Sequence, residues 1–103
     1  MNKLIKSLLV VAGIAVAGVA SAQSPVDMAG ICAGNAMMIK KIAEQSGPSY
    51  ADLGNLAAQQ FQRDYTRYGS QPGFSDAAKY SISQNSTLMQ RVKIAGNCEK
   101  AGF

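Results

Sequence analysis

The chain has 103 residues, 48% of them hydrophobic, with ten Lys and Arg against six Asp and Glu, two Cys, no His and no Trp. That length holds one small domain and excludes multidomain enzymes, repeat arrays and large cofactor folds. The missing His excludes His-dependent triads, zinc-hydrolase sites and ordinary haem attachment within this chain.

Residues 1–22 read as a cleavable secretory signal. Lys3 and Lys6 give a positive start, residues 8–19 are apolar throughout, and Ala20-Ser21-Ala22 has the small-residue cleavage pattern. The apolar run is short for a span of about 20 residues, so no stable membrane insertion is expected after cleavage. Cys32 follows Ala29-Gly30-Ile31, without the small residue that a lipid-attachment site places directly before its Cys. Cleavage leaves residues 23–103 as a single secreted domain, 81 residues long with a formal charge of +2. Such a charge is no signature of a nucleic-acid binder. Of its 34 apolar residues 11 are Ala, so the core is thin. A domain of this size buries only about 60% of its unfolded surface and is marginal without further support.

The two cysteines supply that support. Secretion places them in an oxidising compartment, where an even count in a small domain reads as a disulfide, and the pairing is Cys32–Cys98. Closing so long a loop is worth roughly 4 kcal/mol in the chain-entropy model. A catalytic pair would call for a Cys-x-x-Cys spacing, which this chain lacks.

The first periodic segment predicts a helix over residues 25–46. Met28, Cys32, Asn35, Ile39 and Ile42 form its stripe with Ile31 and Met38 beside them, and Lys40, Lys41, Glu44 and Gln45 lie off it. Gly47-Pro48 ends it. A second helix is expected over residues 50–68, opened by a capping box from Ser49 to Asp52 and carrying Tyr50, Leu53, Ala57, Phe61, Tyr65 and Tyr68 on its inner face. Gly69 and the turn at Ser70-Gln71-Pro72-Gly73 follow. Ser75 can cap a helix from Asp76, with Ala78 and Ile82 inward, and Leu88, Val92 and Ala95 lead on to Cys98. Between these lies Ser83-Gln84-Asn85-Ser86-Thr87, where Thr87 and Gln90 offer another capping box.

The disulfide argues for a break there. A single helix over residues 76–98 is more than about 30 Å long at 1.5 Å per residue. In an up-down-up bundle it would carry Cys98 far from Cys32, whereas the bridge needs Cα atoms within about 7 Å. The expected fold is all-α, a bundle of three to four helices, with four preferred and the last antiparallel to the first. Cys32-Ala33-Gly34-Asn35 and Ala95-Gly96-Asn97-Cys98 both offer small residues for close approach, and Gly30 and Gly34 extend that surface.

Little in the chain points to catalysis or cofactors. Met28, Met37, Met38 and Met89 could bind Cu(I) through sulfur, but Met28, Met38 and Met89 fall on or beside apolar stripes and read as core filler. Asp27, Glu44, Asp52, Asp64, Asp76 and Glu99 are scattered, most of them as surface or helix-start charges. Ser and Thr lack a His to activate them, and Lys40 and Lys41 sit on a polar face. No catalytic residue, metal ligand or cofactor is assigned. The best partner-binding surface is Arg63, Tyr65, Arg67 and Tyr68, since Arg and Tyr are enriched at binding hot spots; in the competing reading the Tyr rings close the core and the Arg side chains are solvated.

The plan resembles that of small, two-cysteine, all-helical periplasmic proteins, a loose group that includes acid-stress chaperones and immunity proteins against secreted toxins. The likeness rests on size, signal and cysteine count and carries over no residue. The expected function is non-catalytic binding of an envelope or secreted protein partner, in a periplasmic or secreted protein of Gram-negative type. The alternative is a small-ligand or copper carrier using the Met side chains of the core.

Overall fold

The computed structural model describes residues 24–103; the expected signal over residues 1–22 lies outside them. Four α-helices follow one another: α1 Pro25–Ser46, α2 Ala51–Tyr68, α3 Phe74–Ser83 and α4 Leu88–Lys100, with a short 3-10 turn Pro48–Tyr50 ahead of α2. The bundle is all-α, and the Cys32–Cys98 disulfide joins α1 to α4 with a Cα–Cα distance of 6.0 Å.

Local chemistry accounts for most of the helix ends. The Ser24 side chain accepts from the Asp27 amide at 3.2 Å, Pro25 opens α1, and Asp27 faces the positive end of its dipole. Gly47, at φ 108°, turns the chain out of α1. Thr87 and Gln90 form the expected capping box at α4, with the Gln90 amide 3.1 Å from Thr87 Oγ1 and the Thr87 amide 2.8 Å from Gln90 Oε1.

Two expected caps do not form. Ser49 lies inside the 3-10 turn, where the Tyr50 amide bonds Gly47 O at 3.1 Å, so α2 starts at Ala51 without a side-chain cap. Helix α3 begins at Phe74 rather than Asp76, because Gly73 at φ 97° makes the turn and Phe74 is drawn into the core. Ser75 is therefore inside the helix.

Helix α1 is the centre of the bundle and packs against each of the other three. Its inward surface is Ala29, Gly30, Cys32, Ala33, Gly34, Asn35, Ala36, Ile39 and Ala43, mostly without bulk. Across Gly30 and Gly34 helix α3 runs parallel to α1 at backbone contact. A Cβ on Gly30 would sit 2.5 Å from Phe74 O, and one on Gly34 would sit 3.0 Å from Ala78 Cα and from Ser81 Cβ. These glycines thus serve the α1–α3 approach, a correction to the expectation that they extend the cysteine surface. Gly96 is corrected too, for nothing lies within 4 Å of a Cβ built on it. Two apolar clusters result. One gathers Ala29, Cys32, Ala33, Phe74, Cys98 and Phe103; the other gathers Ala36, Ile39 and Ala57 under Leu53, Phe61, Leu88 and Ala95.

The expected inner faces of α2 and α4 hold in part, for Leu53, Ala57, Phe61 and Tyr68 on α2 and Leu88, Ala95 and Cys98 on α4 lie in or against the core clusters. Tyr50 and Tyr65 are exposed, however, and α2 buries Gly54, Ala57, Gln60 and Asp64. On α4 the fully buried residues are Arg91 and Cys98, while Val92 and Met89 face out. Polar side chains take the inner positions where they can bond main chain on a neighbouring helix, as Gln60 does to Ala95 O at 3.1 Å. Helices α2 and α4 both run antiparallel to α1, and so parallel to each other.

Two glycine substitutions should move stability in opposite directions. Gly34→Ala should destabilise by about 1–3 kcal/mol through overpacking against α3, whereas Gly96→Ala should stabilise by about 0.5–1 kcal/mol. Thermal melts at one pH measure both. Reduction of the bridge, which spans 66 residues of sequence, should lower stability by roughly 4 kcal/mol in denaturant titrations.

Candidate functional site

Two ionisable side chains are enclosed by the bundle, Arg91 at 1% and Asp64 at 0% exposure. They do opposite things. Arg91 sits where α3 ends, and its Nη2 donates to Ser81 O at 3.3 Å and to Gln84 O at 2.7 Å. Its Nη1 donates to Asn35 Oδ1 at 3.3 Å, and Asn35 Nδ2 returns a bond to Arg91 O at 2.8 Å. The Ser81 and Gln84 carbonyls stand at the negative end of the α3 dipole, and each also accepts a main-chain amide, Ser81 O from Gln84 at 3.2 Å and Gln84 O from Ser86 at 3.1 Å. Burial lowers the Arg91 pKa from its ordinary value, yet a guanidinium stays charged in proteins. Arg91 is a structural knot that ties α1, the α3 end and α4 together.

Asp64 has no such partners. Neither carboxylate oxygen makes a hydrogen bond, and the nearest cation, Arg67 Nη2, is 3.7 Å from Oδ1. Desolvation by burial pushes its pKa up from 3.8 to about 7, and the Glu99 charge pushes the same way; Arg63 and Arg67 oppose them. The expectation that the acids are surface or helix-start charges fails here, because Asp64 falls on the buried arc of α2.

Around Asp64 stand the residues proposed from sequence as a binding surface. Arg63 donates to the Glu99 carboxylate and, at 3.2 Å, to Phe103 O. Arg67 donates to Gly102 O and lies 5.7 Å from the Tyr68 ring centroid. Tyr68 in turn meets Phe103 at 6.0 Å between ring centroids. Arg63, Arg67 and Tyr68 are therefore brought together, but on the chain's own residues 99–103. Tyr65 stands apart with 52% exposure, stacked on Phe61 at 5.7 Å and edge-on to Phe74 at 6.0 Å.

What these arginines hold is a specific turn. The Phe103 amide bonds Cys98 O at 2.8 Å, the Gly102 amide bonds Glu99 O at 3.0 Å, and Gly102 has φ 92°. That pair of bonds around a left-handed Gly is a Schellman motif. It folds the Phe103 ring back onto Ala29, Cys32 and Cys98.

The methionines do not assemble into one core group. Met28 and Met38 are half-buried on α1, while Met37 and Met89 are exposed, so the reading of Met89 as core filler is corrected. Among the described residues no group of three or more Cys, Asp and Glu is placed to hold a metal ion. An open cleft of about 390 Å³ lies at the α1–α2 corner, lined by Lys40, Glu44, Pro48, Tyr50 and Asn55 among others. Its two charged groups already pair, Lys40 Nζ with Glu44 Oε2 at 2.5 Å.

Comparison with protein-family models, with curated proteins and with solved structures finds no match. The site is thus read from its own geometry. An enclosed carboxylic acid that titrates near neutrality, strapped beneath a short C-terminal turn, can bind and release a proton. Both it and Arg91 were legible in part: Asp64 lies one turn from Phe61 and one turn from Tyr68, and Arg91 one turn from Leu88 and from Ala95.

The raised pKa of Asp64 fixes the sign of a pH effect. Between about pH 4 and pH 7 the unfolded chain has lost this proton while the folded chain keeps it, so this group's contribution to stability falls as pH rises across that window. The fall is on the order of a few kcal/mol. Urea midpoints should drop between pH 4.5 and 7.5, a range of about 3 units, more in the wild type than in Asp64→Asn. Replacing Arg91 with Met should destabilise at every pH, by about 3 kcal/mol, because the buried Asn35 Oδ1 loses its donor and two main-chain carbonyls lose their charged one.

Proposed function

We propose that the protein acts outside the cytoplasm, in the periplasm or secreted, by binding a protein partner through its helical surface rather than by catalysis. The observation that carries this reading is an apolar set left exposed on α2 and α4: Leu56 at 63%, Met89 at 75%, and Val92. The bonds from Gln60 to Ala95 and from Arg63 to Glu99 give the parallel pair its register, with an offset of about 36 residues. By that register Leu56 lies level with Val92, and Leu53 with Leu88 and Met89. Large apolar side chains grouped on a small polar domain mark interaction surfaces.

The disulfide supports an oxidising compartment. The surface centred on Arg63 and Arg67 gives this reading less support, because both guanidinium groups serve the 99–103 turn. Partner recognition accordingly falls to the neighbouring α2–α4 face.

A photo-crosslinking residue at position 56 or 89 tests the idea in cells that express the protein. One adduct of defined mass is expected from those positions and none from Lys79, which is exposed on α3. With the crosslinking residue kept at position 56, Met89→Glu should lose the adduct while keeping the melting temperature within a few degrees, since that side chain is already solvated. Equal adducts from all three positions would sink the proposal.

A further inference from the structure

Arg67 is shared between two acceptors. Its guanidinium donates to Gly102 O and stands 3.7 Å from Asp64 Oδ1, beyond hydrogen-bond reach. The Asp64 carboxyl group is enclosed and has no donor of its own. Arg63, the other cation beside it, is engaged by Glu99 and Phe103 O. We propose that Asp64 and Arg67 form a proton-controlled latch, in which ionisation of Asp64 draws Arg67 off Gly102 O and frees the Gly102–Phe103 turn from the core.

Competition for one donor drives the exchange. While Asp64 is protonated, the Gly102 carbonyl is the acceptor that Arg67 serves. A buried carboxylate without hydrogen bonds is costly, and an ionised carboxylate attracts a guanidinium more strongly than a neutral main-chain carbonyl does, so the ionised form recruits the nearest one, Arg67. The groups that set the balance are Arg63 and Arg67 on α2 and Glu99 on α4. Tyr68 on α2 lies under Arg67 and against Phe103. From α1 the cluster receives Ala29, Cys32 and Ala33, and from α3 Phe74, none of them titratable with Cys32 in the disulfide. The transition lies close to neutrality, where burial has moved the carboxyl group.

The consequence is local. Residues 102–103 are held by the Schellman bonds, by Arg63 and Arg67, and by the Phe103 ring. Losing the Arg67 strap weakens that set without touching the α1–α3 contact or the Arg91 knot. Lifting Phe103 uncovers an apolar cluster that includes both half-cystines. The bundle is therefore closed at mildly acidic pH and opens at this corner in mild alkali. This latch does not depend on which partner the α2–α4 face binds.

Hydrogen exchange of the intact, disulfide-bonded chain tests the latch. Protection of the Gly102 and Phe103 amides, corrected for intrinsic exchange, should fall at least about tenfold between pH 5.5 and 8.0 in the wild type, while amides of α1 facing α3 keep theirs. Asp64→Asn should abolish the fall. Arg67→Gln should leave both amides weakly protected at either pH. Unchanged wild-type protection, an equal fall in Asp64→Asn, or a fall spread evenly over all four helices would each refute it. Should Asp64→Asn not fold, carbon NMR of the wild-type Asp64 carboxyl and of the Phe103 ring decides: coincident midpoints support the latch, and a Phe103 ring that does not respond overturns it.

Discussion

The close approach of α3 to α1 governs the remaining architecture. Gly30 and Gly34 let the α3 backbone rest directly on α1, a distance at which a single added methyl group collides. A surface so bare brings helices near but offers little apolar area per residue, and Ala29, Ala33, Ala36 and Ala43 continue it. Helix α1 gains contact with three neighbours and gives each of them few large side chains. The bundle therefore leans on specific ties at its ends: the disulfide, the Arg91 knot and the Phe103 turn.

Those ties differ in kind. The disulfide limits the unfolded chain. Arg91 donates to main-chain carbonyls at the end of α3, and it does so from the first turn of the following helix. Through that one side chain, which also bonds Asn35, the end of α3 is tied to α4 and to α1. The Phe103 turn is the weakest of the three, because Arg63 and Arg67 reach it from exposed positions where each bond is worth little. Its strength is coupled to an enclosed acid, and that coupling makes it responsive to pH.

On the proposed reading, partner binding and stability divide the surface between them. Arg63, Arg67 and Tyr68 have the composition of a hot spot, yet they serve an internal contact. Leu56, Met89 and Val92 have no such task inside the chain. The distinction could not be drawn from residue type, since Arg beside Tyr is as suitable for clamping a helix end as for holding another protein.

Helix positions, the break before Thr87 and the Cys32–Cys98 pairing were legible because each rests on near neighbours or on elimination: apolar spacing, the Thr87–Gln90 capping box, Gly47, and a count of two cysteines. The Ala-Gly-Phe ending carried the signal of a Schellman turn as well, a left-handed Gly followed by an apolar residue. What spacing misjudged were particular positions on the inner faces of α2 and α4. A helical wheel ranks side chains by polarity, and it assigned Tyr50, Tyr65 and Val92 inward over Gln60, Asp64 and Arg91. By itself, then, the sequence determined the helices, most of their ends and their crosslink, because these depend on local dihedral preferences and on covalent chemistry. Only the tertiary structure decided which polar groups are enclosed, because whether Arg91 or Asp64 finds partners depends on carbonyls and charges that distant helices bring to it.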